Sequence, residues 1–174
     1  MPPSPITFPW PTTLTTNRLV LRPIEAGDVP AMSRLWTDTD VRRHLGGPVD
    51  AATLRLREQH CVGARGAFSV VLREGGAVVG GVQVEADPRR PGRVEVSYQL
   101  LPEHWGFGYG REAVTAAVGW AREATTPRGA EVVAVTQEAN VRSRRLLESI
   151  GMQQAESFVE WGAAQVLYVA GPPS

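Results

Sequence analysis

The chain has 174 residues, 43% of them hydrophobic and 21% charged, and its eighteen basic and eighteen acidic side chains cancel to a net charge of zero. That length suits one domain with a hydrophobic core of its own, and the composition is ordinary for a globular protein. With the basic residues scattered there is no positive field for nucleic acid, no run of eighteen apolar residues to cross a membrane, and no N-terminal secretory signal.

The first seventeen residues are rich in Pro and Thr and read as an irregular lead-in. Arg18 to Ile24 reads as a strand with Leu19 and Leu21 on one face. Asp28 then caps a helix, with Pro30 in its first turn and Met32, Leu35 and Trp36 at helical spacing. A short second piece, Asp40 to Leu45, stops at Gly46-Gly47-Pro48, and Asp50 caps another helix reaching Gly63. Ala67 to Arg73 and Ala77 to Glu85 are β-branched and apolar strands joined by a turn at Glu74-Gly75-Gly76. After a loop over Asp87 to Gly92, Arg93 to Leu100 is a strand. It sets Val94, Val96, Tyr98 and Leu100 on one face and Glu95, Ser97 and Gln99 on the other. Val114, Ala117, Val118 and Ala121 trace a helical stripe, Glu131 to Thr136 is an apolar strand, and Asn140 to Ile150 is a helix ended by Gly151. Ser157 to Val169 closes the chain as a hairpin turning at Glu160 to Ala163. The order is β-α-α-β-β-β-α-β-α-β-β. This is one mixed α/β domain over residues 16–170 behind a lead-in over residues 1–15, without an internal repeat.

One turn carries chemical information. Trp105-Gly106-Phe107-Gly108-Tyr109-Gly110-Arg111 lies between a strand and an amphipathic helix. The first turn of a helix leaves backbone N–H groups without partners, and its dipole favours negative charge. Glycines let a phosphate approach that backbone closely. Arg111 opposes the dipole unless an anion is present. A tight glycine turn that only packs strand against helix is the other reading. The segment is not GxxxxGK[ST], and all basic residues are arginine, so a P-loop is excluded; nor is it GxGxxG.

The run Glu95 to Ala113 resembles the central motif of the GNAT superfamily of N-acetyltransferases, and within it the RimJ/RimL branch that acetylates ribosomal-protein N-termini. Thr16 to Pro23 and Asn140 to Met152 match two further motifs of that branch in the same order. The resemblance implies a mostly antiparallel central sheet flanked by helices, and acetyl-CoA as cofactor. The family's cofactor loop opens on Gln or Arg, with glycines three and five residues on. Here Trp105, Gly108 and Gly110 hold those places, Trp being usual in the branch. Backbone amides across Gly106, Phe107, Gly108, Tyr109, Gly110 and Arg111 are then expected to bind the pyrophosphate. Gln99, Leu100 and Leu101 are expected to pair with the pantetheine arm as an added strand and to polarise the thioester. Asn140, Ser143 and Arg144 complete the expected cofactor contacts, Asn140 also being a natural N-cap.

The implied chemistry is direct attack of an amine on the thioester, the amine first losing its proton. An α-amino group, with pKa about 8, needs less help than a lysine amine near 10.4. Glu95 is the candidate base, directly or through a water chain, and it reads equally as an ion-pair partner. Ser143 is the candidate donor to the leaving thiolate, and it also reads as a first-turn helix serine. Tyr98 and Tyr168 are alternative donors whose neighbours suggest packing. Trp36, His44 and Tyr98 are the candidate acceptor-site residues. No spacing among His44, His60 and His104 suggests a metal site, and the lone Cys61 implies a reducing, cytoplasmic setting. The branch points to a protein N-terminal amine as acceptor, with a homodimer from family habit. A small amine (aminoglycoside, polyamine or amino acid) and a module that binds acyl-CoA without turnover stay open. Acidic residues do not cluster in the first sixty positions, which disfavours highly cationic acceptors.

Overall fold

The computed structural model describes residues 5–125 and 129–171; residues 1–4 of the lead-in lie outside the described residues. The strands are β1 (Leu14–Thr15), β2 (Leu19–Pro23), β3 (Ala67–Leu72), β4 (Val78–Ala86), β5 (Arg93–Leu100), β6 (Glu131–Gln137), β7 (Met152–Glu160) and β8 (Ala163–Ala170). The helices are α1 (Val29–Thr37), α2 (Ala51–His60), α3 (Tyr109–Ala124) and α4 (Val141–Ser149). All eight strands form one sheet in the order β1-β2-β3-β4-β5-β6-β8-β7. Every neighbouring pair is antiparallel except β5 with β6. The expected mixed, mostly antiparallel α/β architecture is what the chain adopts.

Sequence pattern decides which face each element buries. Ala113, Val114, Ala117, Val118 and Ala121 recur at helical spacing on α3 and are all buried, against a core holding Leu19, Val70, Val84, Val94 and Val96. Each Val or Leu among them contributes about 1.5–3 kcal/mol through burial, and each Ala about 0.8 kcal/mol. A second apolar cluster joins Met32 and Leu35 of α1 to Ile24, Ala67 and Leu101. Helices therefore cover both faces, and β3 between them is buried at Ala67, Phe68, Ser69, Val70 and Val71. At Gly80 a Cβ would lie 2.2 Å from the Gln99 carbonyl oxygen, so only glycine lets β4 and β5 lie this close.

Three boundaries differ from the sequence reading. The lead-in contains β1, which pairs with β2 through Leu14↔Leu21 and Thr15↔Val20. Asp40 to Leu45 forms turns around the Asp38 carboxylate, which accepts from Asp40 N and Val41 N, rather than a helical piece. The last hairpin begins at Met152, because β7 is an edge strand whose residues 153–157 are exposed and carry no apolar alternation to announce them.

The feature that creates a site is the β5–β6 pair. Its parallel ladder holds only Arg93↔Glu131, Val94↔Val132 and Glu95↔Val133. Ionic contacts gather at that closed end: Arg93 Nε meets Asp87 Oδ2 at 2.9 Å, and Arg89 Nη1 meets Glu95 Oε2 at 2.6 Å and Arg89 Nη2 meets Glu160 Oε1 at 2.8 Å. Beyond residue 95 the strands part. β6 continues its ladder with β8 out to Gln137, while β5 continues with β4 out to Leu100. A gap is left between them.

Candidate active site

The gap opens into a cavity of about 500 Å³ lined by β5, β6, α4 and the loop that carries His44. Its backbone edge is unpaired. Leu101 donates its N–H to Val79 O on the β4 side. Alternation in an antiparallel ladder then turns Gln99 and Ser97 toward β4 as well. The N–H and C=O groups of Val96, Tyr98 and Leu100 face the gap, and the Leu100 carbonyl already accepts from Trp105 Nε1 at 2.9 Å. An extended ligand with its own amides can add to such an edge as a strand would.

At the far end of this edge stands the entrance of α3. Gly108 is its N-cap, in the left-handed conformation at φ 81°, and no side chain caps the helix. The first amide to find a backbone partner is that of Glu112, on Gly108 O at 3.1 Å. Among the described residues, no internal backbone partner takes the amides of Gly106 to Arg111. They form a cluster of uncovered donors at the positive end of a sixteen-residue helix. Gly110 is buried here, and a Cβ on it would stand 3.0 Å from both Leu100 Cδ1 and Leu146 Cδ1. Its bareness lets α3 start directly against β5 and α4. Arg142 stacks its guanidinium 4.0 Å from the centre of the Trp105 ring, adding positive charge beside the cluster.

On the opposite side of β5 a second cavity, about 300 Å³, lies between β5 and the α1–α2 pair. Ser97, Tyr98 and Gln99 line both cavities, so the two meet across one short stretch of strand. On the first-cavity side the Tyr98 and Ser143 hydroxyls share a hydrogen bond of 2.7 Å. Burial pushes the Tyr98 phenol up to about 12, against a smaller lowering by Ser143, so it keeps its proton throughout the physiological range. Ser143 is fixed from behind, its N–H donating to the Asn140 carboxamide at 3.2 Å in the N-cap of α4. Gln99 Oε1 is buried with no hydrogen-bond partner among the described residues.

The candidate residues thus fall into three groups. Tyr98, Gln99, Leu100, Trp105, Asn140, Ser143 and His44 line the first cavity, and Gly106, Phe107, Gly108, Tyr109, Gly110 and Arg111 form the adjoining entrance. Trp36 lines the second cavity, so it and His44, which contacts Gln137 Oε1 at 3.3 Å, do not share a pocket. Glu95, Leu101 and Arg144 are not brought to either cavity. The Glu95 carboxylate is held by Arg89 at the closed end of β5, about 10 Å along the strand from Tyr98. Leu101 is buried beneath α1 with its amide bonded to Val79. Arg144 turns away to Tyr168 Oη at 3.2 Å and the Glu138 carbonyl. Tyr168 is a fully buried packing residue whose hydroxyl donates to Glu148. Val96, Arg57, His60 and Arg142 were not singled out by the sequence; only the alternation of β5 foreshadows Val96.

A family model for the acetyltransferase (GNAT) domain matches residues 18–153. The chain is 27% identical over 149 residues to the uncharacterised N-acetyltransferase p20 of Bacillus licheniformis, covering 82% of this chain and 83% of that one. An acetyltransferase structure from Agrobacterium tumefaciens superposes with a TM-score of 0.78 at 26% identity, over 92% of this chain and 95% of that one. The aminoglycoside acetyltransferase AAC(6')-Ib, solved in complex with coenzyme A, shares the fold with a TM-score of 0.70 at 16% identity, over 87% and 93%.

Proposed function

Since this chain belongs to the GNAT family of acetyltransferases, we propose that it moves an acetyl group from acetyl-CoA to a primary amine, with the thioester in the first cavity and the amine arriving through the second. The observation that carries this reading is the continuity of an open β5 edge with an uncapped helix entrance. A molecule that has amides in its middle and a diphosphate at one end matches both. The related fold with coenzyme A bound supports the same assignment.

The residues then divide the work. Uncovered amides from Gly106 to Arg111 neutralise the diphosphate, and Arg142 and Arg111 add charge around it. The backbone edge of Val96, Tyr98 and Leu100 orients the arm, and an N–H on it stabilises the oxyanion as the amine attacks. Nitrogen forms a bond to the carbonyl carbon, and the carbon–sulfur bond breaks. The departing thiolate takes its proton through the Tyr98–Ser143 hydroxyl pair, which passes one on and regains it from solvent in the first cavity. The amine's own proton leaves through water in the second cavity. Glu95, tied to Arg89, is assigned to holding the closed end of the strand pair.

Two acceptor classes are in play. A cavity of about 300 Å³ lies at the small end for ligand sites, which favours a residue-sized amine. The motif resemblance to the RimJ/RimL branch favours a protein N-terminal amine, whose first residue would occupy the same space. The test is release of free thiol from acetyl-CoA in the presence of amino acids, polyamines, an aminoglycoside and peptides with free N-termini. Amine-dependent release is expected. Stabilisation by coenzyme A without release for any amine would show a binding module instead.

A further inference from the structure

Resting on that assignment of the second cavity, we infer that the acceptor is a small amino acid, carrying an anionic carboxylate as well as the amine and an apolar side chain. The cavity contains positive charge with nothing to balance it. Arg57 supplies it from the last turn of α2, beside His60, and among the described residues no Asp or Glu lines the cavity. The positions three and four residues from Arg57 on the helix are Thr53, Leu54, His60 and Cys61, so no helical neighbour neutralises it. The adjacent Glu58 is occupied elsewhere, accepting from Ser33 Oγ at 2.6 Å. Arg57 instead lies over the Trp36 ring, 5.6 Å from its centre, an arrangement that orients the guanidinium without discharging it.

A second guanidinium stands nearby. Arg42 donates to the carbonyls of Gly47 at 2.9 Å and Leu45 at 2.5 Å. Burial, and then the charge of Arg57, hold it below its usual value. Arg57, with an aromatic ring as its side chain's protein partner among the described residues, is completed by an anion, and Arg42 adds its field without lining the cavity.

The β5 wall of the cavity has the opposite polarity. The unpartnered Gln99 Oε1 on β5 can only accept a hydrogen bond. The remaining walls include Ile24, Met32, Leu35, Trp36 and Phe68. A zwitterion with an apolar side chain meets all three: amine toward Gln99 and the thioester, carboxylate toward Arg57, side chain on the wall. A polyamine or an aminoglycoside meets the Arg57 cation and no carboxylate.

The experiment compares acetyl transfer to leucine and phenylalanine with transfer to their carboxamides and to the corresponding amines that lack the carboxyl group. The amide's amine is the less basic, so solution chemistry alone favours the amide. Preference for the free acid therefore reports recognition of the carboxylate. We expect kcat/KM for the acids to exceed that for the amides by at least about tenfold, the scale of one charge-assisted hydrogen bond. Arg57→Gln should collapse that ratio toward one, and Arg57→Lys should restore part of it. Equal or faster transfer to amides, peptides or polyamines, or an unaltered ratio in Arg57→Gln, overturns this inference and leaves the transferase reading intact. No transfer to any amine while coenzyme A still binds overturns both.

Discussion

Replacing Tyr98 with Phe keeps the ring and removes only the hydroxyl bonded to Ser143 at 2.7 Å. One neutral, partly buried hydrogen bond contributes about 1 kcal/mol, so a domain of this size should lose roughly 2–4 °C in Tm. The catalytic cost should be larger. A positioned acid is worth about a hundredfold or more in rate, so kcat should fall by about that factor while the KM for acetyl-CoA stays put. Ser143→Ala should cost a similar factor, and the double variant little more than either alone, because one proton path is broken in all three. Stopped-flow detection of thiol release gives the rates. The phenol adds a stability signature: it is held at about 12 against an ordinary 10.0. The folded chain thus keeps a proton that the unfolded chain gives up between those values, and stability falls as pH rises through that window. Tyr98→Phe should flatten this part of the profile. A variant that retains wild-type kcat, or losses that multiply in the double variant, would refute the shared-donor argument.

Three further outcomes follow from the same geometry. Gly108→Trp places a bulky side chain at φ 81°, its Cβ 3.3 Å from Arg18 Nη2, and should abolish coenzyme A binding in calorimetry; retained affinity would count against the entrance as the phosphate site. Asn140→Ala removes the cap on Ser143 N and should cost about 1 kcal/mol in urea unfolding, with a fall in kcat as Ser143 loses its anchor; an unchanged midpoint would show the cap to be idle. Arg34 holds the Glu103 carboxyl down to about 2 from an ordinary 4.5, so its contribution is present above pH 4.5 and lost as pH falls toward 2. With the pair half exposed the effect should stay below about 1 kcal/mol, and Glu103→Gln should remove that part of the acid transition.

The sequence made some of this legible and concealed the rest for physical reasons. Apolar alternation located β2 through β6, and the stripe on α3 named its buried face, because burial on one side leaves a periodic trace. β1 is two residues long, and residues 153–157 of β7 are exposed and polar, so neither leaves one. The glycine turn was readable because an unsatisfied helix entrance has a local signature. Glu95 read equally as base and as ion-pair partner, because its partner, Arg89, lies in a loop whose return to β5 is a tertiary fact. Leu101 and Arg144 lie one position from a cavity-lining residue or one away from its helical face, and only the ladder and the packing of α4 decide where they turn. Arg57 and His60 sit on a helix with no buried residue, so nothing in α2 marked them as walls of a cavity.

Backbone amide hydrogen exchange with and without coenzyme A tests the central claim most directly. If the open strand edge and the uncapped helix entrance grip the cofactor, exchange should slow across residues 106–111 and at Tyr98, with the closed end around residues 93–95 unchanged. Cofactor-dependent protection that spares the helix entrance, or protection found only elsewhere in the chain, would contradict it.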